Sequence, residues 1–175
     1  LSKLKANLYY NDPRQFGWVR VVSTREVENL PFIRDLGPEP LGKLTLGLFQ
    51  KILEARKTKI KPLLMDQKVI GGVGNIYAND ALLLAKINPA RPANSLSLRE
   101  QSKLYKALIT VLKKGLKYGG ASEINFVNAL GQLGRYQEHF LAYAKEGQPC
   151  LFCGTKIKKI RLGGRGTYFC PTCQK

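Results

Sequence analysis

Cys150 and Cys153 form one C-x2-C pair, and Cys170 and Cys173 form another; sixteen residues separate the pairs, and all four lie in the last 26 residues. Thiolates two residues apart can face one point, and two such pairs make a tetrahedron suited to one zinc ion. Such a zinc is structural, because four protein ligands leave no position open for water or substrate. Two disulfides in a secreted module are the competing reading, but the two-residue gap is poor disulfide spacing and natural for a shared metal. The single histidine, His139, is not needed as a ligand and reads as a structural hydrogen-bonding residue. An oxidoreductase using these pairs would want a thioredoxin-like βαβ pattern, which the sequence lacks.

A second constellation is Gly71-Gly72-Val73-Gly74-Asn75-Ile76-Tyr77-Ala78. Its glycines permit a tight turn and close backbone approach. Asn75 stands where a helix N-cap belongs, and free N–H groups at a helix start attract phosphate. A dinucleotide fingerprint fits poorly, since Tyr77 occupies the place of the third glycine and the preceding segment reads as helical; the plain structural reading of the segment is a tight helix–helix turn with a routine cap.

The charge says what such a turn would meet. Lys and Arg total 29 against 12 Asp and Glu, a formal net charge of +17 spread through the chain. An excess of this size is self-repulsive and points to a polyanionic partner, nucleic acid above all. A membrane surface fits poorly, since no basic amphipathic helix carries spare aromatics. No run approaches the ~20 apolar residues of a membrane span, and no signal peptide opens the sequence, so a cytoplasmic protein is the expectation.

These groups need elements to hold them. Residues 8–10 and 16–22 read as two strands around a turn at Asn11-Asp12-Pro13-Arg14, too few strands to stand alone. Such a stub leaves an edge that invites dimerisation or swapping. Residues 23–40, with Pro31, Gly37, Pro38 and Pro40, read as a linker. From 41 the period becomes helical, with Leu44, Leu48 and Ile52 on one face and Ala78, Ala81, Leu82 and Ala85 inward on a short helix over 76–85. Ser97 and Glu100 form a capping box. The helix it opens buries Leu104, Leu108, Val111, Leu112 and Leu116, turns Lys103, Lys106, Lys113, Lys114 and Lys117 outward, and stops at Gly119-Gly120. Residues 121–145 are less regular and suggest a long, mobile loop. Lys156 to Leu162 and Thr167 to Phe169 predict a hairpin turning at Gly163-Gly164-Arg165-Gly166.

Three motifs in order resemble one family. Lys57-Thr58-Lys59-Ile60-Lys61-Pro62-Leu63-Leu64-Met65-Asp66-Gln67 with Gly72 to Ala78 resembles the helix–two-turn–helix of formamidopyrimidine-DNA glycosylases and endonuclease VIII. Asp12-Pro13-Arg14-Gln15-Phe16-Gly17 resembles their wedge segment and favours the formamidopyrimidine branch. Gly147 through Gln174 is similar to their zinc finger. The resemblance implies a mainly α fold: the end of an N-terminal β-sandwich (1–22), a linker (23–40), a helix–two-turn–helix DNA-binding domain with a lesion-capping loop (41–145), and a zinc finger with a β-hairpin (146–175).

It also implies the damaged-DNA-binding portion of a bacterial base-excision glycosylase and abasic-site lyase, acting on oxidised purines in nucleoid DNA. The implied partner is double-stranded DNA with a damaged or abasic site. By position, Asn75 and Arg165 bind phosphates near the lesion, Lys159 and Tyr143 are lesser phosphate contacts, and Lys57 lies near the lesion pocket. Phe16 wedges into the stack left by the flipped base, and Arg14 pairs with the estranged base; together they offset part of the unstacking cost. Residue by residue, the bland readings are a core position for Phe16, a solvated charge for Arg14 or Arg165, and packing for Tyr143. Ile124, Asn125 and Phe126 offer backbone amides in the capping loop, although Ile124 stands where relatives often carry a basic residue. The family's proline nucleophile, the glutamate after it and its β-sandwich lysine are missing, since the sequence opens Leu1-Ser2-Lys3. The expectation is a truncated product that binds DNA without excising a base. The alternative is a non-catalytic zinc-ribbon nucleic-acid-binding protein.

Overall fold

A computed structural model of the chain describes residues 9, 10, 12, 15–122, 127 and 131–175, in two compact units, Leu1–Arg34 and Asp35–Lys175.

In the first unit, Gln15 takes a positive φ of 58° and donates its N–H to the Asp12 carbonyl at 3.1 Å, while the Asp12 carboxylate accepts from the Gly17 N–H. This turn leaves Phe16 exposed. A 3-10 helix, Thr24–Asn29, leads into α1, Pro31–Arg34, and Trp18 meets Phe32 edge-on with centroids 5.1 Å apart. The strands expected over 8–10 and 16–22 are not seen: among the described residues this segment joins no ladder. The alternating apolar residues are there, but a strand exists only by pairing, and Val21 is 94% exposed.

The second unit is built on α2 (Leu46–Glu54), α3 (Ile60–Met65), α4 (Asn75–Ala85) and α5 (Leu98–Lys117). Thr45 caps α2, accepting from the Leu48 N–H. The core face of α2 is Phe49 and Leu53, with Leu44 buried just before the helix. The expected face at Leu48 and Ile52 is one position out of phase: Leu48 is exposed and Ile52 only partly covered. One residue turns a helix by about 100°, and Leu44 seeded the wrong phase because it precedes the helix.

α4 is buried nearly all round, at Ala78, Asn79, Asp80, Ala81, Leu82, Leu83 and Ala85, as expected of a central helix. α5 opens with the expected capping box: Ser97 accepts from the Glu100 N–H, and the Glu100 carboxylate accepts from the Ser97 N–H at 2.8 Å. Leu104, Leu108, Val111 and Leu112 are buried as expected, whereas Leu116 is 72% exposed and borders a cleft of about 370 Å³. α4 and α5 cross closely at Gly115, where a Cβ would stand 2.4 Å from the Tyr77 hydroxyl.

The turn between α3 and α4 is fastened by Gln67. Its amide donates to the Met65 and Val73 carbonyls, at 3.1 and 2.9 Å, and its oxygen accepts from the Gly72 N–H at 2.9 Å. At the end of the unit β1 (Lys158–Leu162) pairs antiparallel with β2 (Arg165–Phe169), Leu162 opposite Arg165. Only Gly163-Gly164 forms the turn, with φ of 56° and 74°. Two successive positive φ values match the strand twist, and glycine adopts them without a Cβ clash. Arg165 and Gly166 therefore belong to the strand, and the turn is two residues shorter than the sequence pattern predicts.

Candidate nucleic-acid interface and zinc centre

The site is organised around Lys61, whose side chain is wholly buried. Its ammonium donates to Asn75 Oδ1 at 2.7 Å, to the Gly166 carbonyl at 3.0 Å and to Thr167 Oγ1 at 2.8 Å. One cation thus ties α3 to the start of α4 and to β2. Burial, and then the nearby Arg165 guanidinium, lower its pKa to about 8. The hairpin tip also leans on α3, since a Cβ at Gly163 would lie 3.3 Å from Pro62.

Asn75 is not the N-cap expected of it. Gly74 holds that position, without a side-chain cap, and Asn75 is the first helical residue. Its amide oxygen is taken up by Lys61 instead of by backbone N–H groups of its own helix. Asn79, one turn on, donates to the Asn75 carbonyl at 2.8 Å and accepts from the Tyr168 N–H at 2.7 Å. Arg165 is exposed and opens β2. Asn75 and Arg165 therefore belong to one constellation.

Lys159 and Tyr143 belong to another. Strand alternation and the register put Lys159 and Tyr168 on the hairpin face opposite Arg165 and Thr167. Lys159 Nζ sits 5.5 Å from the Tyr168 ring and 3.7 Å from Glu146, and Tyr168 meets Tyr143 edge-on at 5.3 Å. Tyr143 continues to Phe140, Tyr136 and Tyr77, so it is in large part a packing residue. This aromatic row is pinned by Asp80, which accepts from the Tyr136 hydroxyl at 3.1 Å and from the Ala142 and Tyr143 N–H groups at 2.9 and 3.1 Å. Burial raises the Asp80 pKa, and burial and then Asp80 raise that of Tyr136.

Lys57 is exposed in the α2–α3 connection, whose neighbours Arg56 and Thr58 accept from Asn94 and Ala93. Phe16 belongs to the other unit. Arg14, Ile124, Asn125 and Phe126 lie outside the described residues, as do the other residues of 123–126 and 128–130 in the expected loop; within 121–145 the described part holds a 3-10 turn, Tyr136–His139, and a bridge between Ala121 and Arg135. His139 is stacked on Tyr118, centroids 3.8 Å apart, and stands outside the four-cysteine cluster.

The sulfurs of Cys150, Cys153, Cys170 and Cys173 all lie within 4.8 Å of one another. The Cys153–Cys170 and Cys150–Cys173 separations are 3.4 and 3.9 Å, close to the roughly 3.8 Å edge of a tetrahedron with zinc–sulfur bonds of about 2.3 Å. Backbone N–H groups of Phe152 and Cys173 point at Cys150 and Cys170, as in a metal knuckle. The four cysteines thus fit one structural zinc ion, which they would hold as thiolates and which would supply a cross-link between the two knuckles. The module is seated on the helices by Gln174, which accepts from the Cys170 N–H and donates to the Ile87 carbonyl, both at 2.8 Å.

Sequence reasoning missed Lys61, Asn79, Asp80 and Gln174. The available signal was phase: Lys61 sits between Ile60 and the Leu63-Leu64 pair, and Asn79-Asp80 interrupt an otherwise apolar helix.

Comparison with known proteins gives the architecture its place. Residues 36–126 match the Formamidopyrimidine-DNA glycosylase H2TH domain, and residues 147–175 match the zinc finger found in FPG and IleRS. The Formamidopyrimidine-DNA glycosylase of Pelotomaculum thermopropionicum is 46% identical over 169 residues, 96% of this chain and 61% of that protein. The chain thus spans about three fifths of the curated relatives it matches. Crystallised MutM (Fpg) protein from Thermus thermophilus superposes with a TM-score of 0.83 at 40% identity, over 93% of this chain and 62% of that one. Lactococcus lactis Fpg in complex with an abasic site containing DNA gives 0.80 at 39% identity, over 88% and 57%. With the two-turn connection between α3 and α4, the four-cysteine hairpin and these matches in hand, the chain belongs to the formamidopyrimidine-DNA glycosylase family.

Proposed function

We propose that these 175 residues are the damaged-DNA-binding portion of a base-excision glycosylase and abasic-site lyase directed at oxidised purines. The observation that carries the reading is the junction of α4 and the hairpin, where Lys61 sets Asn75 and the strand bearing Arg165 side by side. Asn75 and Arg165 bind backbone phosphate there, aided by the start of α4, an end rich in unpaired N–H groups. Lys159 and Tyr143 make lesser contacts on the far hairpin face, and Lys57 approaches the lesion pocket. Phe16 is the wedge, Arg14 reads the estranged base, and Ile124, Asn125 and Phe126 cap the flipped base. A chain of net charge +17 suits a phosphate backbone, and the Lactococcus lactis relative was crystallised on abasic DNA.

Residues 1–22 are the closing part of an N-terminal β-sandwich, 23–40 the linker, 41–145 the DNA-binding domain and 146–175 the finger. The apolar surface of Trp18, Val19 and Val21 supports the first assignment, since an unpartnered segment keeps little such surface in water. In the chain by itself that surface promotes self-association. The role proposed for these residues is DNA binding in the bacterial nucleoid, without base excision by this polypeptide alone.

The test is equilibrium binding of the zinc-loaded chain to a duplex carrying a stable abasic analogue and to the intact duplex, across a salt series. Preference for the abasic duplex is expected, with a log–log salt slope of about −0.9 per phosphate neutralised. Arg165→Ala should flatten the slope by about one such unit, whereas Asn75→Ala, which removes a neutral donor, should weaken binding with the slope little changed. Equal binding to both duplexes, with neither substitution mattering, would leave a non-catalytic basic zinc module.

A further inference from the structure

We propose that Lys61 is the positioning residue of the phosphate site: it holds the Asn75 amide with its Nδ2 turned outward as a donor, and its repulsion with Arg165 is relieved by a DNA phosphate bound beside them. The inference rests on the DNA-binding reading above and extends it to a residue that itself need not touch DNA.

The argument is one of unbalanced charge. The ammonium of Lys61 is out of water, and its three partners, Asn75 Oδ1, the Gly166 carbonyl and Thr167 Oγ1, are all neutral. Buried cations are ordinarily paired with a carboxylate, because three neutral acceptors replace lost hydration only in part. The charged group bearing on Lys61 is a second cation, Arg165 on β2, while α4 presents only the amides of Asn75 and Asn79. Two cations held together in the free protein repel each other, and an anion bound beside them relieves both. Lys61 also occupies Oδ1 of Asn75, and Oδ1 accepts further from Asn79 Nδ2 at 3.3 Å. The end of the Asn75 amide left to meet a phosphate is therefore its donor, the end an anion requires.

A protonation change follows. Lys61 has a pKa of about 8 in the free chain. A neighbouring phosphate favours the charged form, so binding near pH 8 takes up a proton.

The test compares the zinc-loaded wild type with Lys61→Met, Asn75→Ala and the double variant, on an abasic duplex with natural phosphates and on a set in which single phosphates are replaced by neutral methylphosphonate. At one position the wild type should lose about tenfold in affinity, and both single variants should bind weakly and be indifferent to that replacement. The double variant should bind no worse than the weaker single one, the mark of two residues acting as one unit. Calorimetry in buffers of different ionisation enthalpy should show proton uptake near pH 8 for the wild type and a markedly smaller uptake for Lys61→Met. Should Lys61→Met fail to fold or to hold zinc, Thr167→Val, which removes one acceptor, serves instead and should lose part of the same sensitivity. Losses for Lys61→Met and Asn75→Ala that simply add, or an unchanged proton uptake, overturn the proposal. If the wild type is itself indifferent to abasic sites and to every methylphosphonate, the DNA-binding reading has failed instead.

Discussion

Asn79 Oδ1 accepts the backbone N–H of Tyr168 at 2.7 Å, a hydrogen bond between the middle of α4 and the second strand of the hairpin, 89 residues apart. Asn79 is buried, so replacing it with alanine strands the Tyr168 amide without water. The expected cost is about 1–3 kcal/mol, read as a lower denaturation midpoint of the zinc-loaded chain. Hydrogen exchange should single out the Tyr168 amide. A midpoint unchanged in Asn79→Ala would mean that the hairpin is held by its other contacts alone.

Asp80 should set an acid-side dependence of stability. Burial raises its folded-state pKa above the unfolded value, so the folded form holds the proton more tightly. Its contribution is full below the unfolded pKa and is lost as pH rises through the folded one. Asp80→Asn keeps an acceptor for the Ala142 and Tyr143 amides and removes the titration, so its stability should vary less with pH over that range. Asp80→Ala leaves those amides and the Tyr136 hydroxyl unmatched and should cost about 3 kcal/mol or more. Urea melts at several pH values separate the two.

Glu100 works in the opposite direction. The Arg91 guanidinium, ahead of the Ser97 amide and hydroxyl, lowers its pKa to about 2. The stability it contributes is present above the unfolded value of 4.5 and disappears as pH falls from there towards about 2. Glu100→Gln should remove that acid-dependent loss and lower the neutral-pH melting temperature modestly, as the pair is partly exposed. Identical acid profiles for variant and wild type would show that Glu100 is no part of the acid response.

Removing zinc should separate the finger from the helices. Four close thiolates without an ion repel one another when ionised, and zinc binding supplies most of the folding free energy of such small modules. Chelation, or Cys153→Ser, should melt the segment 147–175 while α4 and α5 keep most of their far-ultraviolet circular dichroism. Because Lys61 then loses the Gly166 and Thr167 acceptors, DNA affinity should fall with the finger. A metal-free chain that binds DNA like the holo form would detach the hairpin from the interface.

What the sequence made legible followed from local rules. Cys150, Cys153, Cys170 and Cys173 declare a metal by spacing, and Ser97 with Glu100 declares a helix start, because each works through near neighbours in the chain. Lys61 does not declare its role, since its acceptors in β2 lie 105 and 106 residues away. Asn75 reads as an N-cap because asparagine is a good one, whereas Gly74 caps the helix, and the buried ammonium that takes up the Asn75 oxygen is not visible in the local pattern. At 16–22 the alternation of apolar residues suggests a strand that the described structure does not form, because pairing depends on partners that no local pattern supplies.

The two-glycine turn has a consequence for where Arg165 points. With Leu162 opposite Arg165, alternation sends Arg165 and Thr167 to one side of the ribbon and Gly166 and Tyr168 to the other. Thr167 is the residue that meets Lys61, so Arg165 emerges on the same side as the buried ammonium. A single residue inserted before Thr167 and absorbed by the ladder would exchange the two sides. The hairpin therefore acts as a ruler, and the length of its turn decides which side of the ribbon carries the exposed cation.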